Sequence, residues 1–272
     1  MRDRLIIVGL LVTTLFASSC IQGNHGTNKL IYRDKNGREL TEADLAHATG
    51  VVNWSLIGNH NVSQKAIELR NEARQAGSSG NYKKALELLA QASKEAPDWP
   101  YPLYDTAFTY LLMEEPDLAL EGYEVVNKMA PRGFFTVKTA VHTLREEKAG
   151  QLHPGTYKHY VMLEGVNNPV EKRARLEKML KQSPSFAPAW QKLSTLLDDD
   201  TAGLHAIEKG LSCHPDDETK GFLLTNKALV LNRQGKHDEA VRILGDLALD
   251  PNVPEDIEQI AKATLANVIC SK

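Results

Sequence analysis

The residues that could do chemistry are few and scattered. Nine histidines are spread along the 272-residue chain. His153 and His159 are near neighbours in sequence, but neither has a carboxylate at the spacing a metal site uses. With His142 and Tyr157 they make the one polar group from which an enzymatic or carbohydrate-binding pocket could be built, within residues 134–184. The densest acidic run, Asp198-Asp199-Asp200, falls where a helix should end and another begin, so its oxygens are expected to cap backbone N–H groups rather than hold a cation. Asp34-Lys35-Asn36-Gly37 has its glycine too early for a calcium loop and reads as a turn. No His-Glu-x-x-His, P-loop, Gly-x-Ser-x-Gly or Cys-x-x-Cys motif occurs. The chain is therefore expected to have no catalytic activity, no metal and no cofactor. Cys213 and Cys270 each end a helix with a helical hairpin between them. A disulfide needs Cα atoms within about 7 Å, so two buried thiols are expected instead.

The third cysteine, Cys20, has a different setting. Arg2 and Arg4 precede an uncharged apolar run, Leu5 to Ala17, followed by Ser18 and Ser19. That run is shorter than the about 20 residues a membrane-spanning helix requires and suits the apolar region of a secretory signal. The small residues before Cys20 make residues 1–19 resemble a bacterial lipoprotein signal peptide, which implies lipidation of Cys20. Ala17 stands where that signal favours leucine, which leaves ordinary cleavage near Ser19 and a retained anchor as alternatives. All three place the body of the protein outside the cytoplasm: membrane-anchored in the cell envelope, or secreted or periplasmic if Cys20 carries no lipid. The formal net charge of −3 offers no basic field for a phosphate backbone, and nucleic acid is not an expected partner.

The elements that would position any site follow from pattern. Residues 20–29 are polar and glycine-bearing and read as a tether. Asn36-Gly37 between short apolar runs signals a hairpin over residues 30–40, and Thr41 with Asp44 starts a short helix at 42–48. From Val62 the chain reads as helical to residue 270. Leu69, Ala73, Ala85, Leu89, Ala92 and Pro97 recur 34 residues later as Leu103, Ala107, Ala119, Tyr123, Val126 and Pro131. The pattern returns from Trp190 to Pro215 and from Leu224 to Pro251. Helix pairs of this length cannot bury their apolar faces alone and must stack. Residues 134–148, 155–165 and 169–183 read as three helices, with the last two favoured as a pair. Residues 255–270 form an amphipathic helix bearing Ile257, Ile260, Leu265 and Ile269 that suits a cap.

This pattern resembles the tetratricopeptide repeat family. The resemblance implies an all-α, right-handed superhelical solenoid over 62–270, irregular at 134–184, preceded by the short β-hairpin region of 30–61. It also implies a concave groove lined by first helices. Carried over by register, the groove positions are Arg70 and Arg74, then Tyr101, Tyr104 and Phe108, then Lys138, His142 and Arg145. Cations flanked by aromatics would suit an extended peptide carrying apolar side chains and a carboxylate. Packing of Tyr101, Tyr104 and Phe108 against an adjoining helix is the alternative. The resulting expectation is an envelope adaptor or assembly factor that binds a protein or peptide and has no enzymatic activity. Its rivals are an enzyme or carbohydrate-binding protein working from residues 134–184, and a structural protein that self-associates through the hairpin edge.

Overall fold

The computed structural model describes residues 29–33, 39–40, 53–57 and 62–270. Cys20, the signal segment, the 34–38 turn and the helix expected at 42–48 lie outside the described residues. Three short antiparallel strands are paired: β1 (Lys29–Arg33), β2 (Glu39–Leu40) and β3 (Asn53–Ile57), in the order β2-β1-β3. Tyr32 lies opposite both Leu40 and Trp54, and Leu30 opposite Leu56. The expected hairpin is thus one half of a three-stranded sheet. The strand at 53–57 was not expected, and Lys29, placed in the tether by sequence, opens β1.

Twelve α-helices follow among the described residues: α1 (Gln64–Ser78), α2 (Tyr82–Glu95), α3 (Pro100–Leu112), α4 (Pro116–Met129), α5 (Val137–Lys148), α6 (Thr156–Met162), α7 (Pro169–Gln182), α8 (Ala187–Ser194), α9 (Asp200–Ser212), α10 (Asp217–Arg233), α11 (His237–Leu249) and α12 (Glu255–Cys270). Their starts are set locally. Ser63, Asn81, Asn168, Asp199 and Asp216 each accept a backbone N–H of the following turn, and Pro100, Pro116, Pro169 and Pro188 occupy first-turn positions where no N–H is needed. The aspartate run behaves as a cap: Asp199 accepts from the Ala202 N–H at 2.8 Å, and Asp200 pairs with Arg233 at 2.6 Å. Within each early pair the turn needs a left-handed residue. Gly80 (φ 78°) supplies it between α1 and α2, and Glu114 (φ 65°), 34 positions on, does so between α3 and α4.

The repeat register is the packing register. Ala73, Ala85, Ala107 and Ala119 are all within 1% of fully buried. At Gly122 a Cβ would stand 2.9 Å from the Cβ of Ala107, so α3 and α4 approach to backbone contact. The pairs α1/α2, α3/α4, α8/α9 and α10/α11 are hairpins, and α12 packs on both α11 and α10. The core is accordingly a string of clusters along the array rather than one centre.

The irregular middle differs from expectation in its pairing. The short α6 packs on α5 and is fixed by it, since Glu147 accepts the N–H groups of Gly155 (2.7 Å) and Tyr157 (2.6 Å). Its start also touches the end of α7, where Thr156 Oγ1 lies 3.1 Å from Ser183 Oγ. A self-contained hairpin of α6 with α7 does not form; α7 packs instead on α8. In α12 the buried face is Ile257, Ala261, Thr264 and Val268, while Ile269 is half exposed. Cys213 is a half-buried free thiol that donates to the Lys209 carbonyl; of the Cys270 side chain nothing is described.

The array also folds back on itself. The Glu255 N–H donates to the Arg132 carbonyl at 2.8 Å, Arg132 donates to the Val253 carbonyl, and its guanidinium pairs with Glu258. Nearby, α5 packs against α10. A repeat in the first half is therefore bolted to the C-terminal helix.

Candidate peptide-binding surface

Of the expected groove residues, Arg70, Tyr101 and Tyr104 are joined through ring contacts with Phe134 and Phe135. Arg70, on α1, lies with its guanidinium 4.6 Å from the Tyr101 ring centre and 5.7 Å from that of Trp99. Its Nε also donates to Asp105 Oδ2 at 2.7 Å, with both side chains about 15% exposed. Arg70 is thus a structural cation that ties α1 to α3, not a free anchor for a ligand carboxylate. Arg74, one turn further along α1, is exposed and has no ion pair among the described residues.

Tyr101 continues the surface. Its ring meets Phe134 and Phe135 edge-on at 4.8 and 5.3 Å. Tyr104 touches both of them and Tyr123, which in turn meets Tyr157. A row of rings thereby runs from Arg70 into the core. Its inner end is closed to solvent: Tyr123 and Tyr157 are fully buried. Tyr104 Oη lies 2.9 Å from Thr136 Oγ1, itself 3.3 Å from Tyr157 Oη, and burial pushes the Tyr104 phenol up to about 12. Phe108 packs half-buried against the same core, as the packing alternative anticipated.

The outer end is open. Phe135 is 43% exposed and sits at φ 49°, a left-handed conformation that costs a bulky residue about 1–2 kcal/mol. The surrounding packing holds that strain: Phe134 and Phe135 stack edge-on at 4.6 Å, and the preceding Arg132 and Gly133 are pinned to the turn before α12. Sequence reasoning missed Phe135, although the signal was present. Phe135 stands 34 residues after Tyr101 and so occupies the equivalent groove position of the next repeat. Trp99 and Asp105 had no such signal, because their roles arise from Arg70 on another helix.

Lys138 and His142, on α5, make neither hydrogen bond nor ion pair to this patch among the described residues. His142 Nε2 is 3.5 Å from Glu146 Oε1 on its own helix. Arg145 turns to α4, where its Nη2 is 2.6 Å from Glu124 Oε1. In the rival polar group of residues 134–184, His153 and His159 both face the Glu147 carboxylate. Tyr157 is buried, His153 Nδ1 faces the Pro154 carbonyl at 2.9 Å, and His159 lies exposed over Gly155. No hydrogen bond or ion pair joins any two of His142, His153, Tyr157 and His159 among the described residues. Among those residues, too, no cluster of His, Cys, Asp and Glu could hold a metal ion, and no helix is long and apolar enough to cross a membrane.

No family model matches the chain, and no curated protein matches it. Solved structures with similar helical arrays include a MamA fragment (41-end) from Desulfovibrio magneticus RS-1 (18% identity, covering 68% of this chain and 94% of that one, TM-score 0.30). TTC0263, a thermophilic TPR protein in Thermus thermophilus, is also 18% identical, covering 74% and 99% with a TM-score of 0.33. YrrB, a TPR protein with an unusual peptide-binding site, is 14% identical over 74% and 91%, with a TM-score of 0.32. The fold stated above rests on the helix pairing in this molecule rather than on these likenesses.

Proposed function

We propose that the protein is a non-enzymatic binding module that captures a protein segment or peptide on the surface formed by Arg74, Trp99, Tyr101 and Phe135. The carrying observation is Phe135, a large aromatic side chain left partly exposed in a strained backbone conformation beside a stacked cation. Natural proteins retain such strain where an exposed side chain must be presented. Aromatic faces supply contact area at low entropic cost, and Arg74, exposed one turn along α1 from Arg70 and without an ion pair among the described residues, suits a ligand with apolar side chains and a negative charge. The neutralised Arg70 orients the rings and leaves charge recognition to Arg74.

Lipidation at Cys20 and residence in the cell envelope complete this reading, supported by the order of charge, apolar run and small residues in 1–20. Loss of membrane association in Cys20→Ser tests the anchor. The binding surface is tested by titrating a library of extended peptides, with free and amidated C-termini, against wild type, Arg74→Glu and Phe135→Ala. Both variants should weaken binding at least tenfold, with helicity unchanged. Equal affinity for all three proteins would remove the binding surface from this patch.

A further inference from the structure

The seam where the array folds back is unusual in its charge. Thr139, on α5, has its Oγ1 3.1 Å from Glu218 Oε2, 3.1 Å from Asp216 Oδ1 and 3.3 Å from Thr219 Oγ1, and its N–H points at Glu218 Oε2 at 3.4 Å. Asp216 caps α10, accepting the Glu218 and Thr219 N–H groups at 3.1 Å each and the Thr219 hydroxyl at 2.6 Å. Asp256, on α12, adds a third acid facing Glu218 and accepts the Ile257 N–H at 2.9 Å. Glu218 is 3% exposed, and none of the three has an ion pair to lysine or arginine among the described residues. The groups facing the seam from the other elements are Tyr104 of α3, His142 and Glu146 of α5, Tyr157 and Tyr160 of α6 and Glu255 of α12. Of these only His142 is basic, and its contact is with Glu146. A buried carboxylate among acids and without a cation is uncharged or costly.

We propose that this seam is a proton-gated clasp: Glu218 in its protonated form keeps α10 docked on α5 and α12 docked on the 131–136 loop, and loss of that proton to solvent undocks them. Two further observations carry the consequence. Burial and the facing acids push the Glu218 carboxyl well above its ordinary value, and burial raises Asp256 to about 6. A raised folded-state value means that docking is favoured at low pH and weakens as pH rises through it. The same docking holds the 131–136 loop, because Glu255, Glu258 and Val253 grip Arg132, and Pro254 lies against Gly133. Undocking would therefore release the loop that presents Phe134 and Phe135. Only this last consequence rests on the peptide-binding reading; the clasp stands without it.

Hydrogen exchange of the full chain at pH 6 and pH 8.5, corrected for the intrinsic pH dependence of exchange, tests the clasp directly. Protection in 131–136 and 255–270 should fall at least tenfold at the higher pH, while that of α1 and α2 stays level. Glu218→Gln should diminish the fall, leaving the part that Asp256 contributes. Asp256→Asn, which removes the charge facing Glu218, provides a second route and should move the midpoint of the loss by a measurable interval in pH. Equal protection at both pH values in wild type, an undiminished fall in Glu218→Gln or an unmoved midpoint in Asp256→Asn would each overturn the proposal. A chain that bound no peptide yet showed the pH dependence would keep the clasp and lose the binding reading.

Discussion

Two contacts hold distant helices together in this protein, and they solve the problem of a buried charge in opposite ways. At the N-terminal patch, Asp105 lies at 2.7 Å from Arg70, whose guanidinium also stacks on Tyr101. The charge is matched by a partner of opposite sign. At the seam, Glu218 faces Asp216 and Asp256 and accepts the amide N–H and the hydroxyl of Thr139. There the proton replaces the missing cation. The difference teaches that burial alone does not fix a contact's stability; the identity of the partner decides whether docking is permanent or conditional.

The comparison can be broken most severely at Gly221. A Cβ there would stand 2.4 Å from Ile257 Cγ2 and 2.8 Å from Cγ1, on a β-branched side chain with little freedom to move. Gly221→Ala should cost about 3 kcal/mol by overpacking and should detach α12 while leaving the Arg70 stack in place. Thermal unfolding, with Trp99 emission as a local report on the patch, checks both halves.

Next comes pH. Asp256 at about 6, against an ordinary 3.8, means that stability is fully present below pH 4 and is lost as pH rises through about 6. The shift corresponds to on the order of 3 kcal/mol, with Glu218 extending the loss to higher pH. Urea unfolding between pH 4.5 and 8 should show this decline, and Asp256→Asn should flatten its lower part. A flat profile in wild type would mean that the seam does not depend on a bound proton, and the conditional half of the comparison would fall.

Breaking the matched contact should have a smaller effect. Asp105→Asn removes the charged partner of a largely buried guanidinium and should cost about 1–2 kcal/mol by equilibrium unfolding. The smallest effect sharpens the repeat register itself. Glu114→Gly relieves the left-handed backbone at φ 65° but gives up the exposed pair with Lys158 at 2.8 Å. The net gain should be at most about 1 kcal/mol, since exposed pairs contribute little, and the melting temperature should rise by a few degrees.

Some of this was legible in the sequence and some was not, and particular residues show why. Ala73, Ala85, Ala107 and Ala119 announced close helix contacts because their spacing is a property of two adjoining helices. Gly80-Asn81 and Glu115-Pro116 announced turns because backbone conformation and capping are decided within four residues. The Asp198–Asp200 run was legible as a cap for the same reason. Arg70 and Tyr101 were assigned to the same groove by register, but the sequence was silent on Asp105, which takes the charge of Arg70 from another helix. Phe135 was readable at 34 residues from Tyr101 and was missed because the third repeat is irregular around it.

The amino-acid sequence by itself determined the helices, their caps, the 34-residue register and the stacking of neighbours into an array, because each depends on residues a few positions or one repeat apart. It also carries, in residues 1–20, the signal on which the envelope proposal rests. Only the tertiary structure decided that the array returns on itself, setting Thr139 against Asp216 and Glu218, 77 and 79 residues away, and Arg132 against Glu258, 126 residues away. Such a meeting depends on the small rotation between successive repeats summed over the whole array. The shortened α6 alters that sum in the middle of the chain, and no local pattern of residue types encodes the result.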